Sequence, residues 1–259
     1  MRDYNLENIY FYVDLIDTSV RSDNEVVSEF NYDNEQFIAS ATKFNKLTLL
    51  HIFIVTKLFD YYNDYIHHNS DTLCDDTDWL NSIADMFERY KVKIKFFTEK
   101  YPDSDEIDDL DYKLEEWYDS NEENFNDLFN KIADDVFYVL YGNRSFLKDF
   151  NILVSKEIEK LEIPKELKNK HGKVKRVDIP SWVKKAVFLR DKGRCVKCSK
   201  DLTGLIASDT NLHYDHIVPL NLFGANDPTN IQLLCADCNI RKSGNVIETT
   251  NIYSPWWKD

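Results

Sequence analysis

The feature that most constrains this chain is a pair of Cys-x-x-Cys motifs near its C-terminal end, separated by 36 residues. The two residues between the cysteines of each motif let a tight turn direct both thiolates at one ion, and four thiolates form a closed tetrahedral zinc site. Two disulfides or four unrelated thiols are the alternatives, and the matched spacing favours the metal. We therefore expect a structural Zn²⁺ ion bound by Cys195, Cys198, Cys235 and Cys238.

The rest of the chain indicates a reducing compartment and no membrane. The N-terminal residues lack the basic segment and the small-residue cleavage site of a signal peptide. The longest apolar run, "LTLLHIFIVTKLF" at 47–59, is shorter than a membrane-spanning helix and contains His51 and Lys57. We expect a cytoplasmic protein without a membrane partner, in which paired cysteines bind metal.

Charge divides the chain into two parts. Residues 171–259 contain 13 Lys and Arg residues and 9 Asp and Glu residues, a net charge of +4. Residues 1–170 contain 19 basic and 37 acidic residues, a net charge of -18. Because an acidic surface repels nucleic acid, the C-terminal part is the better candidate to bind a polyanion. The acidic stretch at 102–124 is interpreted as solvated surface, with a DNA mimic or a docking surface as the alternative.

Apolar residues recur at three- and four-residue steps through most of the acidic part, which predicts amphipathic helices. One helix is predicted from a cap at Thr77 to Phe97. A second is predicted to begin at a capping box formed by Ser120 and Glu123. Another helix is predicted at 46–66, where the stretch from Leu47 to Val55 is apolar nearly all round.

The sequence predicts four successive regions. Residues 1–164 form an acidic α-helical domain, and the basic segment 165–180 is a linker. A short basic helix, capped by Ser181 and ended by Gly193, then begins a small zinc-containing domain. That domain is predicted to cover 181–249, with a C-terminal tail at 250–259.

The insert between the cysteine pairs contains "DHIVPL", then a glycine-containing loop, then "NIQLLCADCN". Together with "FLRDKGRC" upstream, these motifs resemble the zinc-stapled form of the HNH endonucleases, over about residues 180–245. The resemblance implies a ββα-metal fold for this third of the chain. The whole is then an α+β protein, with a mainly α-helical N-terminal domain followed by a small ββα-metal domain that contains zinc.

The resemblance also implies roles for individual residues. His216 is the expected general base, and Asp215 and Asn239 are the expected ligands of a catalytic divalent cation. Asn230 is the central asparagine that fixes the loop and orients the histidine. Since Asn239 stands where many members have His, both ligands offer oxygen, which favours Mg²⁺ or Mn²⁺. Ala225 stands where a second glycine is common, and this matters only if the position requires a positive φ.

Three further residues near the motif have two interpretations each. Arg241 and Lys242 are candidate phosphate contacts, or basic residues of a solvated helical end that the helix dipole favours. His213 shares a strand face with Asp215 and is interpreted as a bystander, with a phosphate or supporting contact as the alternative. The tail residues Trp256 and Trp257 are expected to pack on the domain, with stacking on bases as the alternative.

The leading hypothesis for function is a metal-dependent HNH endonuclease that cleaves DNA, with RNA as an alternative substrate. A restriction or anti-phage defence system is the expected context, by analogy with other fusions of this module. A non-catalytic zinc module that binds nucleic acid or protein is the alternative. The acidic helical domain is expected to bind a protein partner, to form a homo-oligomer, or to cover the nuclease face.

Overall fold

The computed structural model describes residues 9–22, 34–74, 76–101, 109–204 and 212–252 of the chain. Ten α-helices, two short 3₁₀ helices (Leu220–Leu222 and Pro228–Asn230) and one two-stranded sheet lie within these ranges. The helices are α1 (Ile9–Arg21), α2 (Asn34–Thr42), α3 (Leu49–Leu73), α4 (Thr77–Arg89), α5 (Phe97–Lys100), α6 (Leu110–Ser120), α7 (Glu122–Tyr141), α8 (Arg144–Lys160), α9 (Ser181–Arg190) and α10 (Ala236–Lys242). The strands are β1 (Leu212–His216) and β2 (Ile231–Cys235), which pair antiparallel. The predicted α+β class is confirmed.

The chain divides into two compact units that do not follow the predicted boundaries at 164 and 181. One unit comprises Met1–Tyr12 with Phe53–Phe137, and the other comprises Val13–Ile52 with Tyr138–Asp259. The second unit thus contains α8, the basic segment and the cysteine motifs together with a stretch from the beginning of the chain. No helix in the described ranges is both long and apolar enough to cross a membrane.

The first unit has an aromatic interior. Phe125, on α7, contacts the rings of Phe87 and Trp117 with centroid distances of 5.0 and 5.7 Å. Phe129, one turn further along, meets Phe59 edge to face at 4.8 Å. All these phenylalanines except Phe59 are fully buried, so the three- and four-residue periodicity of the sequence is the periodicity of the core.

Two helix ends differ from the predictions. α4 is capped by Asp76, whose carboxylate accepts from the Trp79 amide, and it ends at Arg89. Lys91 has a φ of 53°, a left-handed conformation that stops the helix before Phe97. Ser120 ends α6 and donates to the Trp117 carbonyl, so it does not cap α7. The apolar periodicity predicted the buried helix faces correctly, but backbone conformation and the hydrogen bonds of side chains such as Asp76 and Ser120 determined where the helices begin and end.

The segment 165–180, predicted as a linker, is folded into the second unit. Lys168 and Val174 form an antiparallel bridge, and the Lys175 amide donates to the Leu167 carbonyl at 2.9 Å. Gly172 takes the positive φ of 76° that the turn requires. Val174 is buried, so the segment packs against the unit.

Candidate functional site

The four predicted cysteines lie together. Their sulfur atoms are all within 4.8 Å of one another, and the Cys198 and Cys235 sulfurs are 3.7 Å apart. Four sulfurs placed tetrahedrally around zinc at about 2.3 Å are roughly 3.8 Å apart. The set therefore fits a tetrahedral Zn²⁺ site, and none of these cysteines is in a disulfide. Within the described ranges it is the one cluster of three or more Cys, His, Asp or Glu ligands.

The zinc cluster lies at the centre of a small apolar core. Cys195, Cys235 and Cys238 are buried among apolar residues of α9 and β2. The first cysteine motif is attached to the sheet because the Val196 amide donates to the Leu233 carbonyl at 3.0 Å. The second motif lies where β2 passes into α10. A metal bound here would fix the sheet and α10 to one another.

The sheet brings the polar residues of β1 beside those of β2. In the antiparallel register, Asp215 is opposite Gln232 and His216 is opposite Ile231. His216 is the last residue of its strand and is only 1% exposed. Because adjacent strand residues point to opposite faces, Asp215 and His216 can serve different partners although they are neighbours in the chain.

His216 is held as a neutral imidazole. Its Nε2 atom lies 3.3 Å from Asn226 Oδ1. Burial lowers the pKa of His216 to about 4, and the positive charge of Arg176 acts in the same direction. The ring is therefore unprotonated at neutral pH, which is the form that can accept a proton.

Asn230 holds the loop that follows His216. Its side chain donates to the Val218 and Ala225 carbonyls, at 3.0 and 2.9 Å, and accepts from the Val218 amide at 2.8 Å. These contacts attach Asn230 to both ends of the stretch 218–225. The ring of His216, however, is contacted by Asn226, a residue that the sequence did not single out.

The glycine position of the loop is sterically required. A Cβ added to Gly224 would lie 2.0 Å from the Val218 carbonyl oxygen, which is far inside contact distance. Ala225 is absent from the positive-φ residues of the described chain, so its methyl group costs no backbone strain. The departure from a glycine pair is thus accommodated by the fold.

Asp215 and Lys242 form an ion pair. Lys242 Nζ lies 2.8 Å from Asp215 Oδ2 and donates to the His216 carbonyl at 2.8 Å. The Lys242 side chain is fully buried, whereas Asp215 is 18% exposed. A phosphate contact by Lys242 would require it to leave both partners. Its observed contacts attach α10 to the end of β1.

Asn239 and Arg241 also have partners within the domain. Asn239 Nδ2 lies 3.3 Å from His213 Nδ1, so His213 contacts the predicted ligand on α10. Arg241 is exposed and donates to the Cys238 sulfur at 3.3 Å. Its charge therefore lies beside the zinc thiolates, and its solvent-facing position leaves it accessible to a polyanion.

A cavity of about 200 Å³ lies beside Asp215 and His216. Arg176, Asn169 and Asn221 contribute further polar groups to its wall. It combines an acidic group, a neutral imidazole and a guanidinium within one polar recess. Such a recess is large enough for a hydrated ion or a phosphate group.

Residues 195–244 match the family described as HNH endonuclease. This segment is similar to an HNH domain. The match begins at the first cysteine of the zinc cluster and extends two residues past Lys242, so the resemblance expected from the motifs is confirmed. Neither the curated proteins nor the solved structures contain a match to the chain.

Residues of the matched segment also contact residues that lie outside it. The backbone amide of Asn226 donates to the Ala41 carbonyl at 2.8 Å, and the backbone amide of Leu49 donates to Asp227 Oδ2 at 2.9 Å. On another side, Asn151 of α8 donates to the Thr229 hydroxyl at 3.2 Å. No sequence motif predicts these contacts, since they join residues more than 70 positions apart. Trp256 and Trp257 lie outside the described residues.

Proposed function

We propose that the chain is a metal-dependent endonuclease that hydrolyses the phosphodiester bonds of DNA. The observation that carries this proposal is the cavity that joins Asp215, a buried neutral His216 and Arg176, next to the zinc-stapled strands and helix. A carboxylate, a neutral imidazole and a guanidinium in one recess suit the cleavage of a phosphodiester better than the binding of an apolar ligand.

The residues divide the reaction among them. His216 takes a proton from water, the water oxygen bonds to phosphorus, and the bond from phosphorus to the leaving oxygen breaks. Arg176, exposed at the mouth of the cavity, can pair with a phosphate oxygen. A divalent cation held by Asp215 would neutralise the negative charge that develops on the leaving oxygen.

Oxygen ligands favour Mg²⁺ or Mn²⁺ as the catalytic ion. Asp215 fits this role because its carboxylate lines the cavity. Asn239 contacts His213, so its participation as the second ligand requires its amide oxygen to turn toward the ion. In that arrangement His213 acts as the group that orients Asn239. The proposed phosphate contact of Lys242 ranks below those of Arg176 and Arg241, since Lys242 is buried and the two arginines are exposed.

One observation favours the non-catalytic alternative. Asp215 is paired with Lys242, and Asn239 with His213, so both predicted ligands have partners inside the protein. A zinc module that binds nucleic acid or a protein would keep these pairs intact. The buried, neutral His216 beside a polar cavity is the feature that this alternative leaves without a role.

The biological setting is proposed from composition and analogy. Net charges of +4 and -18 in the two parts of the sequence suit a DNA-directed effector joined to a domain that binds a protein partner or a second copy. RNA is the alternative substrate. A restriction or anti-phage role in a reducing compartment such as the cytoplasm agrees with four free thiols reserved for zinc.

The decisive experiment is a plasmid-nicking assay with purified protein and Mg²⁺ or Mn²⁺, with EDTA as the metal-free control. We expect wild type to nick supercoiled DNA, and His216→Ala to lose at least about 100-fold in rate, the effect expected when a general base is removed. His68→Ala is the matched control because this histidine is exposed on α3. Undiminished cleavage by a zinc-loaded His216→Ala variant would exclude the assignment.

A further inference from the structure

Asn226 is a fully buried residue in the loop between β1 and β2. Its side chain has three partners. Nδ2 donates to the Thr42 carbonyl at 3.0 Å and to the Lys175 carbonyl at 2.8 Å, while Oδ1 faces His216 Nε2 at 3.3 Å. A buried amide with all these groups engaged is held in a single orientation.

The two backbone carbonyls determine which way the amide points. A carbonyl oxygen only accepts hydrogen bonds, so the Thr42 and Lys175 oxygens must both face the NH₂ group. Turning the amide over would place Asn226 Oδ1 against two acceptors and would leave them unsatisfied in the interior. The oxygen of Asn226 therefore faces His216.

This orientation determines the tautomer of His216. Because Asn226 Oδ1 can only accept, Nε2 of the neutral imidazole must carry the proton. Nδ1 is then the nitrogen with the free lone pair. It is buried, and it has no hydrogen-bond partner among the described residues. The ring also lines the polar cavity.

The loop is attached to a distant stretch of the chain at two consecutive residues. The backbone amide of Asn226 donates to the Ala41 carbonyl, and the Asp227 carboxylate accepts from the backbone amide of Leu49 at the start of α3. Phe44, between these two points, packs against the apolar core around the zinc cysteines. All of these contacts lie within the second compact unit.

We propose that Asn226 is a positioning residue that holds His216 in the Nε2-protonated tautomer, and that the segment 41–49 completes the nuclease site by holding Asn226. The segment acts on the loop through two backbone carbonyls and a backbone amide. The tautomer is a property of the folded chain, and only its catalytic consequence rests on the proposed nuclease function.

The first test measures the tautomer directly in wild type. Long-range proton–nitrogen NMR spectra of protein with isotope-labelled histidines distinguish a protonated from an unprotonated ring nitrogen, and a His216→Gln spectrum assigns the signal. We expect the proton on Nε2. A proton on Nδ1 in the wild-type protein overturns the proposal, whether or not the protein cleaves any nucleic acid.

The second test uses Asn226→Ala, with Asn130→Ala as the matched control on the exposed face of α7. We expect Asn226→Ala to mix the two tautomers and to lower kcat for nicking about 10- to 100-fold, with KM unchanged, because an orienting partner is lost. An unchanged tautomer, or a loss confined to KM, contradicts the proposal. If wild type does not nick DNA, the tautomer comparison still decides.

Asn226→Ser is the second variant if Asn226→Ala does not fold. Serine has a single O–H donor, so it cannot donate to both the Thr42 and the Lys175 carbonyls, and its oxygen is no longer held facing His216. We expect the same mixing of tautomers in a protein that retains its zinc. A serine variant with the wild-type tautomer contradicts the proposal.

Discussion

The interiors of the two compact units differ in kind. The unit that contains Phe53–Phe137 is filled with aromatic rings, such as Phe87, Phe125 and Phe129. The unit that contains Tyr138–Asp259 also has an apolar core, but it buries charged and polar groups as well. They include Arg144, Asn151, Asp191, His216, Asn226, Asp227, Thr229, Asn230, Gln232 and Lys242, whereas the buried polar residues described in the other unit are Ser70 and Asp135.

The difference shows where geometry is specified. Apolar contacts are not directional, so an aromatic core accepts many arrangements of similar volume. A buried polar group must meet a partner of the right kind at the right distance, because an unsatisfied one costs about 1–3 kcal/mol. The second unit therefore holds its side chains in defined positions, as a catalytic site requires.

The largest expected effect comes from the zinc cluster. Cys235→Ser removes a buried ligand, and structural zinc contributes an apparent free energy of about 10–16 kcal/mol in zinc-finger peptides. We expect the variant to lose its zinc, measured by mass spectrometry of the metal content, and to lose the cooperative urea transition of the second unit. Cys74→Ser, which changes the cysteine outside the cluster, is the control. Full zinc occupancy in Cys235→Ser would show that the four thiols are not one site.

An intermediate effect is expected at the buried arginine of α8. Arg144 pairs with Asp191 and donates to the Thr250 and Ile252 carbonyls. Arg190 still pairs with Asp191 when Arg144 is lost, so we expect Arg144→Leu to cost about 3 kcal/mol, the lower end of the range for breaking a buried pair. Urea unfolding followed by circular dichroism measures this cost.

The control for the arginine variant lies on the surface. Arg21 has a side chain that is 42% exposed and pairs with Asp17 and Asp149. We expect Arg21→Leu to cost less than about 1 kcal/mol, because water already screens these charges. Equal costs for the two variants would remove the distinction drawn between buried polar contacts and ordinary surface pairs.

Among these changes to the interior, the smallest effect is expected when a single methyl group is added to the loop after β1. Gly224→Ala places a Cβ against the Val218 carbonyl, and we expect the overpacked loop to cost about 1–3 kcal/mol. At Gly142 the nearest atom is 3.7 Å from an added Cβ, so Gly142→Ala is the matched control. A Gly224→Ala variant with the urea midpoint of wild type would show that the loop adapts more freely than its contacts indicate.

The sequence by itself determined the features that depend on short separations along the chain. Cysteine pairs with two residues between them predict a metal site because the turn that directs both thiolates at one ion is local. In the same way, the apolar periodicity in α7 located its buried face, and "DHIVPL" with "NIQLLCADCN" identified the HNH domain over 195–244.

Only the tertiary structure decided which groups meet across long separations. Lys242 resembles a solvated helix-end lysine in the sequence, but folding buries it against Asp215, 27 residues earlier. The segment 41–49 carries no motif, and its backbone holds the loop with Asn226 nearly two hundred residues later. Such partners are chosen by the whole fold, because a buried polar group pairs with whatever chain segment is brought beside it.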